Sequence, residues 1–583
     1  MIEPPPLSRR RDRFVLPSLM VLGFVLRCWG IGFGLPGIRA RPDEEFVVPI
    51  AVGFFSGDLN PHTFFYGTLY MYILFFIYLV QHAFLSLFRV ERHFIDVFTN
   101  LYLWPSRFYL TARFLSAGVG ALTIGVVHRL GERLFDRRVA LLAAVFMSVA
   151  YLPVRESHFG VTDTFLAFLL TSSIYFLAKF QDEPRDRNGF VAEFLAGLAA
   201  SVKYVGVLVP VSVMIARYQS GARTLKEFFG RELVFHAGAF LLGFLAGCPF
   251  ALINPGMFAE TLLAYARAFS PAAAGWRESG WWYYLHTALF FGIGWPLLAA
   301  SVFGAFAAFA EKRRKALAIF SFPALFFLLA GRGKIIFPRY ALSLVPFVTI
   351  LSAVAVVRAA ARVPVRFRTA VSVVAAALLA LPTLTDVVRW DRLMTKKDSR
   401  LLAMEWFQAR VAPGASVFQA CSPWGQVPLR PTVELLEASY RRTIVLGGTG
   451  KRTRAIIDRM KMDNLPAYDL WEWDGPGGTF RSYAGEKAGL PDCIVLEESP
   501  RGLKSPPVAR LLNSDYVLAA TFSGLPPDDG SRVYTPQDAF YVPFHGFSGV
   551  ERPGPTLSIF QRKDRLSRGG NFPTGNRPGF PEL

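Results

Sequence analysis

Acidic residues beside apolar segments are the first candidates for chemistry in this sequence. Asp43 and Glu44 lie in the charged run 41–45, which follows an apolar segment, and Asp163 stands where a later apolar segment begins. Carboxylates can accept a proton from a hydroxyl group or ligate a divalent metal ion. An ionisable residue at the end of an apolar helix is a functional candidate, although three consecutive acids could also form only a solvated loop.

Basic residues beside other apolar segments could bind a negatively charged group. Lys203 lies within the apolar stretch 190–217. A short run between two further apolar segments contains Arg332, Lys334 and Arg339. Arginine binds phosphate through a planar fork and lysine through a point charge. These residues therefore predict a phosphate-binding site, with anchoring to lipid headgroups as the alternative, above all for Arg332.

Long apolar segments carry these residues and decide the class of protein. The chain has 583 residues, of which 52% are hydrophobic and 18% charged, and its mean hydropathy is +0.34. A soluble domain would carry roughly 25% charged residues. The apolar content excludes a disordered chain, and the charge-free runs exclude a cytosolic enzyme. Because a helix needs about 20 apolar residues to cross a bilayer, the sequence predicts a polytopic α-helical membrane protein with about 11 membrane segments. The candidates are 14–33, 66–88, 107–128, 139–154, 162–179, 190–217, 233–253, 281–310, 316–331, 339–357 and 369–386.

Basic loops set the predicted orientation of these segments. The net charge of +20 could suggest nucleic acid, but basic residues in a membrane protein hold loops in the cytoplasm, so we expect no nucleic-acid partner. Basic clusters occur in the N-terminus, 1–13, and at 129–138, 217–231, 312–315 and 358–368. All of them lie in the cytoplasm only if 66–88 is an interfacial helix on the outer side and 190–217 is a helical hairpin. The first extracytoplasmic loop then spans 34–106, and the candidate acids and cations share the outer side.

Residues beyond the last apolar segment differ from the membrane domain 14–386. Helical and strand-like runs alternate in 387–562, which predicts an extracytoplasmic α/β domain. The expected helix is 399–411, and the expected strands are 416–420, 493–496, 516–522 and 556–560. The basic end of the chain, 563–583, is rich in glycine and proline and is predicted to be disordered. Cys421 and Cys493 could pair as a disulfide or stay free.

Several short motifs, taken in order, resemble the GT-C superfamily of integral-membrane glycosyltransferases. Within it the chain is similar to the branch of protein O-mannosyltransferases and lipid A aminoarabinose transferases, and above all to bacterial members. The matching motifs are Asp43-Glu44, Gly57-Asp58-Leu59-Asn60-Pro61-His62, Arg113 in Leu110–Ser116, Ser157-His158 through Asp163, Lys203-Tyr204, Pro338-Arg339-Tyr340, Asp398–Trp406 and Arg552–Pro555. Relatives usually carry a proline in the segment that aligns with Tyr66-Gly67-Thr68-Leu69, and this chain has none there. The role of that motif is therefore not carried over.

The resemblance implies a reaction and assigns roles to residues. It implies transfer of a monosaccharide from a polyprenyl-phosphate donor to an extracytoplasmic protein, lipid or glycan, with inversion at the anomeric carbon. The expected catalytic residues are Asp43, Glu44 and Asp163; the expected phosphate-binding residues are Lys203, Arg339, Tyr340, Lys334 and Arg113; His158, Tyr66 and His62 could support the acceptor. Because a lipid phosphate leaves readily, no strong general acid is needed, and Asp43 is the expected base for the acceptor hydroxyl.

The implied chemistry also indicates which cofactors, location and partners to expect. It requires no cofactor, although the carboxylates could hold a divalent metal ion. We expect a multi-pass protein of the bacterial inner membrane, with its active site and C-terminal domain on the extracytoplasmic side. Its expected partners are the lipid-linked donor, membrane lipids and an envelope acceptor.

Two other functions fit the same charges. A transporter or flippase for a lipid-linked or anionic solute would also carry charges among its membrane helices. A catalytically silent scaffold could bind envelope partners through its tail. The sequence has no evident internal repeat of the kind typical of transporters, and a carrier would not need a large outer domain. Sugar transfer without a gradient would separate an enzyme from a carrier.

Overall fold

The computed structural model describes most of the chain, as two units. The described residues are 14–37, 39–183, 185–220, 230–268, 279–333, 335–445, 450–474, 479–485, 488–498, 512, 514–525, 530–535, 538 and 540–566. The helical unit comprises Met1–Phe33, Arg41–Lys396 and Asp528–Ser548. The sheet unit comprises Gly34–Ala40, Lys397–Pro527 and Gly549–Leu583. The helical unit thus extends to Lys396, beyond the predicted boundary at 386/387, and it also includes Asp528–Ser548, whereas Gly34–Ala40 belongs to the sheet unit.

The helical unit consists of α-helices joined by short turns. Its helices are α1 (Val15–Cys28), α2 (Glu44–Gly53), α3 (Leu69–Leu87), α4 (Phe94–Leu103), α5 (Ser106–Leu134), α6 (Arg137–Val149), α7 (Tyr151–Glu156), α8 (Thr162–Asp182), α9 (Asp186–Ala200), α10 (Val209–Gln219), α11 (Arg231–Gly247), α12 (Phe250–Ile253), α13 (Pro255–Ala268), α14 (Gly280–Tyr283), α15 (Phe290–Gly292), α16 (Trp295–Ala330), α17 (Val345–Ala361) and α18 (Arg368–Met394). Short 3₁₀ helices cover Phe54–Ser56, Tyr204–Leu208, Pro338–Ser343 and Val365–Phe367, and a π-helix covers Tyr284–Leu289.

Small residues on α5 let neighbouring helices approach closely. The buried face of α5 includes Ala112, Ser116 and Gly120, spaced four residues apart. Helix positions spaced in this way lie on one face, and small side chains there permit close packing. Accordingly α5 packs against α1, α6 and α8, and the first turn of α8 carries Asp163.

The length and hydropathy of the helices agree with a membrane protein. Among the described residues, four helical stretches are long and apolar enough to cross a bilayer: Leu69–Leu87, Ser106–Leu134, Thr162–Asp182 and Val365–Arg410. The helices Gly280–Gly292 and Trp295–Ala330, bent by 115°, could form a fifth. Shorter apolar helices are Val15–Cys28, Phe94–Leu103, Tyr204–Gln219 and Val345–Ala361. The total of about 11 segments and their sidedness stay predictions, and so does the interfacial position of 66–88, because its helix is long enough to cross.

Two sequence-predicted breaks in the helices correspond to observed ones. Within 190–217, helix α9 ends before Ser201 and the chain resumes as the 3₁₀ helix Tyr204–Leu208, so that Lys203 lies at the break. Helix α16 is interrupted at Lys312, whose φ of −133° and ψ of 42° are not helical. That residue belongs to the basic cluster predicted to separate 281–310 from 316–331.

The sheet unit has an α/β architecture. Its helices and strands are α19 (Ser399–Arg410), β1 (Ser416–Ala420), α20 (Val433–Val445), α21 (Lys451–Asp463), β2 (Asp469–Asp474), β3 (Thr479–Ser482), β4 (Ala488–Gly489), β5 (Cys493–Glu497), β6 (Tyr516–Phe522), β7 (Leu557–Arg562) and α22 (Lys563–Leu566). The strands form one sheet in the order β4-β3-β2-β1-β5-β7-β6, in which β1 pairs in parallel with β2 and β5. A C-terminal α/β domain is therefore confirmed. The tail predicted to be disordered lies outside the described residues except for 563–566.

Two motifs of the sheet unit contact each other. The backbone N–H of Ser399 donates to the carbonyl of Pro553 at 2.9 Å, and the Ser399 hydroxyl donates to the carbonyl of Pro555 at 2.6 Å. Between these prolines, Gly554 has a φ of +101°, and a Cβ there would lie 2.2 Å from the Ser399 hydroxyl oxygen. The two sequence motifs in the tail thus form one structural junction.

The cysteines of the sheet unit are free. Cys421 and Cys493 belong to the same buried cluster on one face of the sheet, and neither forms a disulfide. Burial raises the pKa of the Cys493 thiol to about 12. Both side chains therefore act as small apolar core residues.

Candidate active site

Asp43 lies at the start of α2 in a strained backbone conformation. Its φ is +73°, a region that non-glycine residues rarely adopt and that costs of order 1–3 kcal/mol. The Asp43 carboxylate does not cap α2; it forms an ion pair with Arg339, in which Oδ2 lies 2.9 Å from Nη2. Its side chain is 24% exposed, so that a second molecule can reach it.

Arg339 is surrounded by three carboxylates, of which Asp43 is the nearest. The residue lies in the 3₁₀ helix Pro338–Ser343 and is 5% exposed. Its Nε lies 3.8 Å from Oδ2 of Asp163, and its Nη1 lies 3.9 Å from Oδ2 of Asp538. Both distances are too long for hydrogen bonds. Nε and Nη1 therefore have no hydrogen-bond partner among the described residues, although both are buried.

Lys203 provides a second cation next to Arg339. Its Nζ donates to Oδ1 of Asp163 at 2.6 Å. The same ammonium lies 5.3 Å from the ring centre of Tyr66 and 5.0 Å from that of Tyr340. The two aromatic rings and one carboxylate thus hold the ammonium in place, since a cation is attracted to the face of an aromatic ring.

Gly67 brings Tyr66 to the break that carries Lys203. The N–H groups of Gly67 and Leu69 donate to the carbonyls of Val202 and Ser201 at 3.1 and 3.2 Å. A Cβ on Gly67 would lie 2.1 Å from the Ser201 oxygen, so the close approach requires glycine. The stretch without the usual proline therefore uses backbone N–H donors, which proline could not supply at its own position.

Glu44, which follows Asp43 in sequence, forms a buried ion pair with Arg113. Nε and Nη2 of Arg113 donate to the two oxygens of Glu44 at 2.8 and 2.7 Å. Nη1 of Arg113 donates to the carbonyls of Ile31 and Phe33, both at 2.8 Å. The N–H of Gly160 donates to Glu44 at 2.7 Å. Because its donor groups are engaged, Arg113 is not free to bind a phosphate, contrary to the expectation from its motif, and Glu44 holds the backbone beside Asp43.

The Glu44–Arg113 pair leads to a prediction about stability. Replacing Glu44 by Gln should lower the free energy of unfolding by about 3 kcal/mol, because the Arg113 guanidinium stays buried without its counter-charge. Denaturant unfolding of the detergent-solubilised protein would measure this change. The control is Asp58→Asn in the exposed Asp58–His62 pair, for which we expect no measurable change in the free energy of unfolding. If Glu44→Gln kept its normal stability but no longer bound a phosphate ligand, we would instead assign Arg113 to the phosphate-binding site.

Asp538 is a member of the acidic cluster that the sequence did not reveal. It is 3% exposed, and its Oδ2 accepts a hydrogen bond from Nη1 of Arg41. Burial alone would raise the pKa of the Asp538 carboxyl, but the guanidinium groups of Arg41 and Arg339 outweigh it and lower the pKa below its ordinary value. Asp538 is therefore ionised at neutral pH. The aromatic run that follows it, Phe540 to Phe547, was the available signal of a buried segment.

Two other predicted residues are not part of this cluster. His158 is buried with its ring nitrogens 2.9 and 3.0 Å from the carbonyls of Val154 and Trp29, and burial lowers its pKa to about 4. It is a core residue. His62 is exposed and lies 2.6 Å from Asp58. Lys334 lies outside the described residues.

The clustered carboxylates are already matched by cations. Asp43, Asp163 and Asp538 face Arg339, and Asp163 and Asp538 have Lys203 and Arg41 as further partners. Among the described residues, no group of three His, Cys, Asp or Glu side chains is arranged to hold a metal ion. The three acids and three cations form a charge-balanced cluster, in which buried nitrogens of Arg339 and Arg41 have no hydrogen-bond partner among the described residues.

Part of the chain matches a known family by sequence. Residues 94–252 match the family model of dolichyl-phosphate-mannose-protein mannosyltransferases. This segment contains Arg113, Asp163 and Lys203. None of the curated proteins matches the sequence of this chain.

Comparison with solved structures finds ArnT and an archaeal oligosaccharyltransferase. ArnT from Cupriavidus metallidurans, bound to undecaprenyl phosphate, is 15% identical and has a TM-score of 0.52, with 94% of this chain and 97% of that chain covered. The oligosaccharyltransferase AglB of Archaeoglobus fulgidus, in complex with an inhibitory peptide and a dolichol-phosphate, is 12% identical with a TM-score of 0.49, covering 96% and 89%. The apo oligosaccharyltransferase of the same organism is 13% identical with a TM-score of 0.45; 70% of this chain matches, and it spans 62% of the length of that protein. The family match and the ArnT fold confirm the resemblance to GT-C membrane glycosyltransferases, and the prediction of a glycosyltransferase agrees with both.

Proposed function

We propose that the protein is a membrane glycosyltransferase that moves a monosaccharide from a polyprenyl-phosphate donor to an acceptor hydroxyl outside the cytoplasm. The observation that supports the proposal most strongly is the burial and incomplete hydrogen bonding of Arg339. This guanidinium is buried beside Asp43, and two of its N–H groups have no partner among the described residues. A buried donor without a partner costs about 1–3 kcal/mol, so a ligand that accepts hydrogen bonds is favoured there. A phosphate group fits a guanidinium fork best.

The donor class is proposed from chemistry and from the two informative relatives. ArnT of Cupriavidus metallidurans binds undecaprenyl phosphate, and the matching family uses dolichyl-phosphate mannose. Arg339 and Lys203 would bind the phosphate of such a donor at the outer end of the membrane helices. Tyr340 and Tyr66, which flank Lys203, would orient its ammonium toward the same group.

Asp43 is proposed as the general base. The acceptor hydroxyl would attack the anomeric carbon on the face opposite the phosphate, and its proton would pass to the Asp43 carboxylate. The bond between the anomeric carbon and the phosphate oxygen would break, and the polyprenyl phosphate would leave with the electron pair. Its new negative charge would be stabilised by Arg339 and Lys203. The product would therefore have the inverted anomeric configuration.

Asp163 is proposed to position Lys203 and not to accept the proton. It is 5% exposed and already accepts the Lys203 hydrogen bond at 2.6 Å, whereas Asp43 is 24% exposed. A base must come within about 2.6–3.2 Å of the hydroxyl. Of the two acids, Asp43 has the easier access for an acceptor.

Sugar transfer without a membrane gradient tests this function. The wild-type protein in nanodiscs, supplied with a radiolabelled undecaprenyl-phosphate sugar and an envelope extract, should release undecaprenyl phosphate and label an acceptor. The anomeric configuration of the product, determined by NMR, should be inverted. A protein that moves the intact donor across sealed vesicles, but never cleaves it, would instead be a flippase. Donor that is neither cleaved nor moved would favour the scaffold.

A further inference from the structure

A segment from the C-terminal part of the chain belongs to the helical unit. The segment 528–548 lies between β6 and β7 in sequence, but its described residues, 530–535, 538 and 540–548, belong to the helical unit. Phe540 and Phe544 are buried, with Phe540 in ring contact with Phe159 at 5.4 Å and Phe544 with Tyr151 at 5.6 Å. His545 lies 3.4 Å from Asp386. Aromatic packing therefore fixes the segment on the helical unit.

Asp538 is the acidic residue that this segment brings to Arg339. Its Oδ2 faces Nη1 of Arg41 on one side and, at 3.9 Å, Nη1 of Arg339 on the other. Arg41 is itself immobilised, because its guanidinium lies 4.4 Å from the ring centre of Phe159 and is fully buried. Asp538 is thus a carboxylate held on a fixed cation, and it faces Nη1 of Arg339, whereas Asp43 faces Nη2.

The position of Asp538 decides how Arg339 is oriented. Asp43 forms a close ion pair with Nη2 of the guanidinium at 2.9 Å, whereas Asp163 and Asp538 attract Nε and Nη1 from 3.8 and 3.9 Å. Without Asp538, the attraction from Asp43 and Asp163 would be unopposed, and the guanidinium could rotate toward them. The two free N–H groups would then no longer point where a phosphate can accept them.

We propose that Asp538 is a positioning residue of the transfer reaction, acting through Arg339 to hold its free N–H groups toward the donor phosphate. This inference rests on the proposed function. It makes a segment of the C-terminal part of the chain necessary for the geometry of the active site.

The charge of Asp538 leads to different expected changes in transfer rate and in donor affinity. Neutralising it removes a negative charge beside the phosphate site, which by itself favours an anionic donor. Loss of orientation slows the reaction, since misplacement by about 1 Å can cost up to 10²-fold. Asp538→Asn should therefore lower the single-turnover rate about tenfold while donor affinity is unchanged or higher. A purely structural residue would lower donor affinity and rate together.

A double-mutant cycle with Arg339→Lys tests whether Asp538 acts on the transfer rate through Arg339. Lysine keeps the charge but lacks Nη1, so Asp538→Asn should cost less than twofold in that background. Equal tenfold losses in both backgrounds would overturn the proposal. Asp386→Asn, which removes the His545 contact in the same segment, is the control and should transfer at the wild-type rate.

Folding and the proposed function are tested separately. If Asp538→Asn unfolds because Arg41 stays charged and buried, Arg41→Gln combined with Asp538→Asn removes both partners, which proteins tolerate better. That double variant should fold and still transfer about tenfold more slowly; a normal rate would overturn the proposal. If Arg339→Lys alone changes neither rate nor donor binding, the proposed function fails; if it does but Asp538→Asn has no effect, only this inference fails.

Discussion

Replacement of Asp43 by asparagine is expected to lower the single-turnover rate of sugar transfer by about 10²–10⁴-fold. Asparagine keeps the size of the side chain and can still accept a hydrogen bond from Arg339, but it cannot take the proton of the acceptor hydroxyl. Donor affinity should stay the same or rise slightly, because one negative charge near the phosphate is lost. The rate and the affinity are measured separately, with undecaprenyl-phosphate sugar in nanodiscs.

A matched carboxylate serves as the control for Asp43. Asp58→Asn, in the same predicted outer loop but at an exposed carboxylate that pairs with His62, should leave both rate and affinity at their wild-type values. Full activity of Asp43→Asn would remove Asp43 from the mechanism. The base would then be sought at Asp163, although that carboxylate is nearly buried and bound to Lys203.

The meeting of Asp43, Asp163, Lys203 and Arg339 could be predicted from the sequence. Basic loops fix which ends of the apolar segments share a side, and residues at those ends can then converge. The distances among them show that the four side chains do converge. Which side of a membrane they face stays a prediction, because it rests on the charge pattern alone.

The roles of Arg113 and Asp538 could not be read from their motifs. Arg113 occupies a position that resembles a functional one, but its charge is used by Glu44, 69 residues earlier in the chain. Asp538 is separated from Arg339 by nearly two hundred positions and lies in a stretch without a matching motif. Long-range pairing of a buried charge leaves no local signal in a single sequence, since either partner alone looks like any other polar residue.

In the sheet unit, too, some strands could be predicted from the sequence and others could not. β1, β5, β6 and β7 are apolar runs and were predicted within about two residues. β2 was missed, because Asp469–Asp474 alternates tryptophan with acidic residues and reads as polar. Its Trp471 is nevertheless buried, and Trp473 packs with Phe480 at 4.7 Å. Tertiary packing, rather than composition, makes this segment a strand.

Replacement of Arg339 by alanine is expected to weaken donor binding by about 10²-fold or more. Two charged hydrogen bonds to the phosphate would be lost, each of about 1.5–3 kcal/mol, and about 1.4 kcal/mol corresponds to a factor of ten. Asp43, Asp163 and Asp538 would also lose the cation they share, so that their charges would repel the phosphate directly. Arg339→Lys should lie between alanine and the wild type, because the charge remains without the fork.

Comparison with the exposed Arg332 distinguishes phosphate binding by Arg339 from anchoring to lipid headgroups. Arg332→Ala should change donor affinity less than about twofold, since an exposed charge is screened by water and salt. Titration of undecaprenyl phosphate into nanodiscs that contain each variant measures the three affinities. Equal and small losses at Arg332 and Arg339 would mean that both residues only hold the protein against lipid headgroups. A loss confined to Arg339 would assign the phosphate to the buried guanidinium, because that group is buried among carboxylates with Nε and Nη1 unpartnered among the described residues, whereas Arg332 is exposed.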